Sequence, residues 1–288
     1  MPSGDAEALI RGLIEGFIDS PQNRLNEVGE PAWAKPLVGF SNGADPLYDF
    51  YKKDIGPFYV LPIDFFRAAH PEVEARPETL TVVSWILPQT EATKADHRRE
   101  TRMPCERWAR ARIMGEEVNV KLRKYLVDEL VRRRYPAVAP MLSPLWHQEI
   151  SEKYLFASAW SERHAAYAAG LGTFSLSDGL ITAVGIAHRV GSVIVNANIA
   201  PTPRPYTDHH AYCLFYTRGA CGVCINKCPA GAISEKGHDK QKCSDYVDST
   251  QAFVEEHYHF KGYGCGLCQV GVPCESGIPA GIDLGKGR

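Results

Sequence analysis

The chain has 288 residues, of which 44% are hydrophobic and 23% are charged, a composition typical of globular proteins rather than disordered or collagen-like chains. Its 32 Lys and Arg residues against 34 Asp and Glu residues give a net charge of −2, which argues against a protein that coats nucleic acid. No apolar run reaches the roughly 18 residues that a membrane span requires. The opening segment MPSGDAEALIRG has acidic residues where a secretory signal has Lys or Arg, so we expect a cytoplasmic protein with no membrane partner.

The first predicted element is a helix, because Leu9, Leu13 and Phe17 recur at helical spacing. The segment from Pro31 to Pro77 is rich in Pro, Gly and aromatic residues and predicts an irregular aromatic wall with little regular structure. The apolar run from Leu80 to Pro88 predicts a strand that is covered on both faces of its sheet.

A long amphipathic helix is predicted from Glu116 to Arg134, where apolar residues recur every four positions. It leads into the apolar segment AVAPM, and this order of strand, helix and strand is typical of an α/β fold. The Ala-rich segment from Ser161 to Gly172 predicts a further helix that ends in a tight turn. Two apolar runs on either side of His188 and Arg189 predict a hairpin or adjacent strands.

The composition changes after Pro201 to Pro205, where Cys, Gly and Tyr become frequent. Eight of the nine cysteines follow this point, and only Cys105, interpreted as a buried or incidental thiol, precedes it. We therefore predict an α/β domain over residues 1–200 and a cysteine-rich domain over residues 201–288, packed together. The odd number of cysteines and the CxxC pairs favour thiolate metal ligands over disulfides.

The spacing of these cysteines predicts two [4Fe–4S] clusters. A CxxC pair at Cys221 and Cys224 is followed by Cys228-Pro229, and in bacterial ferredoxins the Cys before Pro binds the cluster opposite its neighbours. A looser second run follows, and the last Cys of each run is taken to cross over. One cluster then takes Cys213, Cys221, Cys224 and Cys274, and the other takes Cys228, Cys243, Cys265 and Cys268. Two zinc sites are the alternative, because CxxC pairs also bind zinc.

With its Cys-Pro-Ala-Gly-Ala-Ile string, its GYGCGLCQ motif and its SERHAAYAAGLGTFSLSDGLIT segment, the chain resembles the iron–sulfur reductases that include epoxyqueuosine reductase and the corrinoid-dependent reductive dehalogenases. The resemblance covers most of residues 75–288. It implies an α/β (α+β) fold, with a nitroreductase-like domain that binds a corrinoid (cobalamin) and a bacterial-ferredoxin-like domain with two clusters. It also implies an electron donor such as ferredoxin or flavodoxin.

The resemblance suggests site residues in the first domain. Epoxyqueuosine reductases have a proton-donating Asp where this chain has Phe156, so Tyr154 is a candidate replacement donor, or else an interface tyrosine. Glu162 and Arg163 are candidates for positioning the substrate or the corrinoid, or they form a salt bridge at a helix start. A turn follows that lies against either a tetrapyrrole or the neighbouring strand. Its residues are Gly170, Leu171 and Gly172.

We expect an oxidoreductase that passes low-potential electrons through two clusters to a corrinoid site, where a small or nucleoside substrate is reduced. The missing Asp argues against a tRNA substrate. Residues 91–134 hold 13 basic and 8 acidic residues and are a candidate surface for an acidic ferredoxin, tRNA or the corrinoid, or else a solvated helix face. The alternative function is an electron-transfer or activator protein without corrinoid catalysis. We also expect a cavity that faces one cluster, lined by residues 154–172 and an aromatic segment before residue 70.

Overall fold

The computed structural model describes residues 3–282, and no helix in this part of the chain is both long and apolar enough to cross a membrane. The helices are α1 (Ser3–Ile18), α2 (Pro46–Ile55), α3 (Pro62–Ala69), α4 (Glu91–His97), α5 (Glu106–Arg132), α6 (Glu162–Ala168), α7 (Leu214–Arg218), α8 (Val223–Lys227) and α9 (Lys240–Tyr258). The strands are β1 (Leu37–Asn42), β2 (Thr81–Pro88), β3 (Ala137–Val138), β4 (Gln148–Ser151), β5 (Leu155–Ser158), β6 (Gly172–Phe174), β7 (Leu180–Thr182), β8 (His188–Val195), β9 (Ile233–Ser234) and β10 (Gly237–His238). Short 3-10 turns lie at Pro77–Thr79, Pro140–Leu142 and Leu267–Gln269.

A four-stranded sheet in the order β1-β2-β8-β3 forms the centre of the fold, and all three of its pairings are antiparallel. The predicted strand, helix and strand are present as β2, α5 and β3. Because β8 lies between β2 and β3, the two strands point the same way without pairing. The mixture of helices and strands agrees with the prediction, but the central sheet is antiparallel, as in α+β rather than α/β folds.

Helices cover both faces of the sheet, as the apolar run in β2 predicts. Every residue of β2 is buried. Val82 and Ile86 pack in a core with residues of α2, α3 and α6, whereas Val83 and Trp85 pack in a second core with residues of α1 and α5. This division follows the two-residue period of a strand. Each such side chain contributes roughly 1.5–3 kcal/mol through its burial.

The segment from Pro31 to Pro77 is more regular than its composition predicts, since β1, α2 and α3 lie within it. The Asp45 carboxylate accepts a hydrogen bond from the Leu47 N–H at 3.0 Å and caps α2. Tyr48 and Tyr51 are one helical turn apart and are buried in the core. The prediction of little regular structure was therefore wrong, because Pro and Gly here separate short elements.

The strands on either side of His188 also differ from the prediction. β7 pairs with β6, whereas β8 pairs with β2 and β3. A tight turn redirects the chain after β7: the Gly185 N–H donates to the Thr182 carbonyl oxygen at 2.9 Å. The two apolar runs are therefore neither a hairpin nor neighbours in one sheet.

Residues after 201 pack closely against the first part of the chain. The Ile186 N–H donates to the Cys274 carbonyl oxygen at 2.9 Å. The His97 Nε2 lies 2.7 Å from the Cys265 carbonyl oxygen. The Arg98 guanidinium forms an ion pair with the Glu275 carboxylate. These contacts hold the cysteine-bearing loops against α4 and the end of β7.

Candidate functional site

Eight of the nine thiols line two adjoining cavities. The first thiol set lines a cavity of about 30 Å³ and consists of Cys213, Cys221, Cys224 and Cys274. The second thiol set lines a cavity of about 330 Å³, here called the central cavity, and consists of Cys228, Cys243, Cys265 and Cys268. Cys268 also lines the smaller cavity, so the two sites share a wall.

Short helices and turns position the thiols. In the first set, Cys213 caps α7 and Cys224 lies in α8. In the second set, Cys228 caps the end of α8 and Cys243 lies in the first turn of α9. All nine cysteines are free thiols.

Gly266 allows the Cys265 loop to approach the rest of the protein. Its φ is 75°, and a Cβ atom there would lie 2.1 Å from the Trp108 ring. No other residue type fits this close approach without a shift. Near Cys228, the Ala232 N–H donates to the sulfur at 3.3 Å. Backbone N–H groups that contact sulfur are a feature of iron–sulfur sites.

Burial keeps several of these thiols protonated. It raises the pKa of Cys224 and of Cys265 to about 11 and the pKa of Cys274 to about 12, and neighbouring thiols add to each rise. Burial also raises the pKa of Cys268 well above its usual value. A metal that binds these sulfurs must therefore displace protons. Among residues 3–282, no three His, Cys, Asp or Glu side chains are arranged to hold a single metal ion.

The other walls of the central cavity are cationic and aromatic. Trp33 and Trp108 provide aromatic surface. The basic side chains are Arg112, Arg163, Arg189, His188 and His238. No Asp or Glu is among the described residues that line it.

The two histidines of the central cavity have pKa values that are shifted in opposite directions. Burial lowers the pKa of His188 to about 4, so that imidazole is neutral. His238 has its pKa raised to about 9 by its hydrogen bonds to Asp178, whose carboxylate lies 3.1 Å away, and to Cys243. The cavity therefore holds one neutral and one charged imidazole near neutral pH.

Comparisons with known proteins bear on this site. No protein-family model matches the chain. An epoxyqueuosine reductase of Bacillus cereus is 32% identical over 124 residues, which are 41% of this chain and 30% of the relative. An epoxyqueuosine reductase of Lactococcus garvieae is 35% identical over 68 residues, which are 22% of this chain and 19% of the relative. The chain thus spans less than a third of these relatives.

A solved reductive dehalogenase, whose structure is described as suggesting a mechanism for B12-dependent dehalogenation, matches with a TM-score of 0.50 and 14% identity. The match covers 85% of this chain and 30% of that one. The predicted resemblance to epoxyqueuosine reductases and reductive dehalogenases is confirmed. At 14% identity, the structural likeness shows the fold alone.

Glu162 and Arg163 point to different places. The Glu162 carboxylate accepts a hydrogen bond from the buried Arg123 guanidinium at 3.1 Å and does not line the central cavity. Arg163 lines the cavity, and its guanidinium donates to the Asp178 carbonyl oxygen. Glu162 pairs with Arg123 rather than with Arg163, so the salt bridge between Glu162 and Arg163 that was the alternative interpretation is absent from the described residues, and a positioning role for Glu162 stays a prediction.

Tyr154 and the glycine turn lie outside the central cavity. The Tyr154 hydroxyl donates to the Asp54 carboxylate at 2.5 Å, and burial and that carboxylate raise the pKa of the phenol. A Cβ atom on Gly170 would lie 2.6 Å from the Pro203 carbonyl oxygen, and one on Gly172 would lie 2.2 Å from the Ile181 carbonyl oxygen. Neighbouring backbone therefore faces both glycines. Leu171 packs against Gly39.

Sequence reasoning missed the polar side of α5. Arg112, Glu116, Asn119 and Arg123 recur at intervals of four, three and four residues, which places them on one helix face. Glu116 pairs with both Arg123 and Arg189, at 2.9 and 2.5 Å. This polar stripe beside the apolar one was the available signal for a buried ionic network.

Proposed function

We propose that this protein is an iron–sulfur oxidoreductase that holds one [4Fe–4S] cluster on each thiol set. The observation that carries the proposal is the division of eight thiols between two adjoining cavities in the groups expected from the Cys-Pro rule. Four thiols for each cavity match the ligand number of a cubane. When bound, such clusters supply one-electron transfer at low potential.

The two thiol sets have different surroundings. Cys221 of the first set is exposed, so we infer that an electron donor such as ferredoxin or flavodoxin docks there. Cys268, which lines both cavities, provides the contact between the two sites. The second set faces the central cavity, where Trp33 and Trp108 limit access of water to a small substrate.

A corrinoid, which the family resemblance implies, does not fit the site that we describe. The central cavity of about 330 Å³ is near the lower end for small-molecule sites, and it includes the space between four thiols. Gly170 and Gly172 face protein backbone. A surface groove of about 530 Å³ along residues 18–35 is lined by no cysteine. We therefore infer that the substrate itself occupies the central cavity.

Metal and sulfide analysis of anaerobically purified protein tests the proposal. We expect about eight iron and eight sulfide per chain and a visible absorbance that is lost on oxidation. Stoichiometric zinc without acid-labile sulfide would contradict it. Titration with hydroxocobalamin tests the second part, and we expect no change in the corrinoid spectrum. Tight binding of the corrinoid would show that the cavity opens beyond the volume that we describe.

A further inference from the structure

The central cavity contains more positive charge than the described protein neutralises. Among residues 3–282, neither Arg112 nor Arg163 forms an ion pair with a carboxylate. The Arg112 guanidinium lies 4.9 Å from the centre of the Tyr263 ring and donates to its hydroxyl at 3.2 Å. Burial lowers the pKa of the Arg112 guanidinium. Because guanidinium groups stay protonated in proteins, these two charges favour an anion in the cavity.

Two buried acceptors in the cavity have no partner. Gln89 is 6% exposed, and its Oε1 receives no hydrogen bond from the described residues. The His188 Nε2 lies 2.8 Å from the Leu180 carbonyl oxygen, which accepts its proton, and the His188 Nδ1 is left without a partner. A buried acceptor without a donor destabilises the folded protein. These two atoms therefore favour a ligand that donates hydrogen bonds.

The unpaired acceptors lie beside one of the cavity's arginines. Strands β2 and β8 place Pro88 opposite His188 and Leu87 opposite Arg189. Gln89 follows directly, and its N–H donates to the Ala187 carbonyl oxygen at 2.9 Å. Both acceptors and Arg189 thus lie within two positions of the same end of the sheet. Arg189 itself pairs with Glu116, but it lies near both unpaired arginines, since its charge lowers the pKa of Arg112 and of Arg163. A ligand that contacts one of these arginines and the two acceptors therefore carries its donor group close to its anionic group.

We propose that the central cavity binds a small organic anion that has a hydroxyl or amino group next to its carboxylate. The arginines bind the carboxylate, Gln89 and His188 accept from the neighbouring donor group, and the indole rings of Trp33 and Trp108 cover the apolar part. The inference names the ligand class of the site next to the second thiol set. It rests on the proposed function for the view that this ligand is the electron acceptor.

Binding of mandelate and two analogues tests the proposal. Mandelate has the carboxylate and the adjacent hydroxyl, phenylacetate lacks the hydroxyl, and mandelamide lacks the charge. Calorimetry on anaerobic holoprotein should show that phenylacetate binds about threefold to tenfold more weakly than mandelate. Mandelamide should bind at least about tenfold more weakly. Equal affinities for all three, or no binding of mandelate, would overturn the proposal.

Two variants with a matched control locate the binding site. Arg112→Gln should weaken mandelate binding about tenfold, whereas Arg110→Gln should leave it unchanged. The control is close, because Arg110 lies on the same helix and its guanidinium also lies over an aromatic ring, 4.6 Å from the centre of Phe260. Gln89→Leu should remove the preference for mandelate over phenylacetate and leave phenylacetate binding intact. Unchanged binding in both Arg112→Gln and Gln89→Leu would show that the anion lies elsewhere.

Iron and sulfide analysis of the same samples separates this inference from the proposed function. Full cluster content without mandelate binding would refute the ligand class and keep the iron–sulfur assignment, with the arginines balancing only the charge of the thiolates. Mandelate binding to protein without iron or sulfide would keep the ligand site and refute the oxidoreductase. Circular dichroism checks that each variant folds, so a loss of binding reports on the site itself.

Discussion

Cys228 lies where the chain passes from the first thiol set to the second. It ends α8, the helix that contains Cys224, yet its sulfur lines the central cavity with the second set. A turn begins at Pro229, whose ring fixes the backbone φ angle as the chain leaves α8. One short helix therefore supplies thiols to both sites.

We predict that Cys228→Ser perturbs the cluster of the second thiol set and leaves the other close to intact, because the serine removes one of its four sulfur ligands. Electron paramagnetic resonance of the reduced protein measures this change. Cys224→Ser is the matched control and should affect the other signal. A loss confined to the signal of the first set in Cys228→Ser would refute the assignment.

His164 should make the stability of the protein depend on pH. Its Nδ1 lies 2.7 Å from the Ser161 hydroxyl, and its ring packs 4.8 Å from that of Tyr51. Burial, together with the charges of Arg163 and Lys240, lowers its pKa to about 3. The folded state thus keeps the imidazole neutral while the unfolded chain, with a pKa near 6.5, takes up a proton.

The stability that depends on neutral His164 is present above about pH 6.5 and is lost as the pH falls toward 3. When the pH falls from about 7 to about 5.5, the loss of this contribution should lower the free energy of unfolding by about 1 kcal/mol. Urea unfolding of wild type and His164→Gln at both pH values measures the contribution, because the other histidines are common to both proteins. Identical pH dependence in the two proteins would contradict the prediction.

At the scale of elements, α5 connects the sheet to α6 through a buried guanidinium. Arg123 is 2% exposed, forms ion pairs with Glu116 and Glu162, and donates to the Val190 carbonyl oxygen at 3.3 Å. Glu116 also holds Arg189, which lines the central cavity. Through this network, α5 holds Arg189 in the wall of the central cavity.

We predict that Arg123→Leu lowers the free energy of unfolding by about 3–5 kcal/mol, because it leaves the Glu162 carboxylate buried without its partner. Chemical denaturation measures this loss. The double variant Arg123→Leu/Glu162→Gln should recover part of the stability, since the stranded charge is gone. Arg132→Gln, which breaks an exposed pair with Glu129, should cost much less than Arg123→Leu. A loss as small for Arg123→Leu would show that the network is not stabilising.

The basic surplus of residues 91–134 is largely used within the protein. Arg98 pairs with Glu275 and Arg107 pairs with Glu30, so carboxylates outside the segment neutralise part of its charge. Others pair inside it, as Arg110 does with Glu106. This pairing leaves less of the segment's positive charge free to bind tRNA or an acidic protein.

The sequence predicts those elements whose cause is local. The period of α5 and the apolar run of β2 each depend on a few neighbouring residues, and both elements are present in the structure. The pairing of β8 was not predictable in this way, because its partners β2 and β3 are remote in sequence. For the same reason the arginines of the central cavity were missed, since α5, α6 and β8 each supply one.

At the scale of the whole molecule, the chain before residue 200 and the cysteine loops meet at Gly185. Its φ is 90°, and a Cβ atom there would lie 2.0 Å from the Glu275 carbonyl oxygen. Cys274 precedes this contact, and its own carbonyl oxygen accepts from the Ile186 N–H. The first thiol set therefore depends on backbone from the other part of the chain.

We predict that Gly185→Ala displaces the loop of Cys274 and removes the cluster of the first thiol set, which would lower bound iron by roughly half. Iron analysis and electron paramagnetic resonance measure the effect. Gly277→Ala, where a Cβ atom would meet its nearest neighbour at 3.8 Å, is the control and should keep all its iron. Full iron content in Gly185→Ala would show that the loop accommodates the methyl group.

The position of β8 between β2 and β3 has a consequence for biosynthesis. During translation, β2 and β3 leave the ribosome well before residues 188–195, so the β2 edge that later pairs with β8 stays open. That edge belongs to an apolar strand that is fully buried in the finished protein. Open apolar edges invite association between nascent chains, and pairings remote in sequence form slowly. The growing chain should therefore need chaperone protection until β8 has emerged.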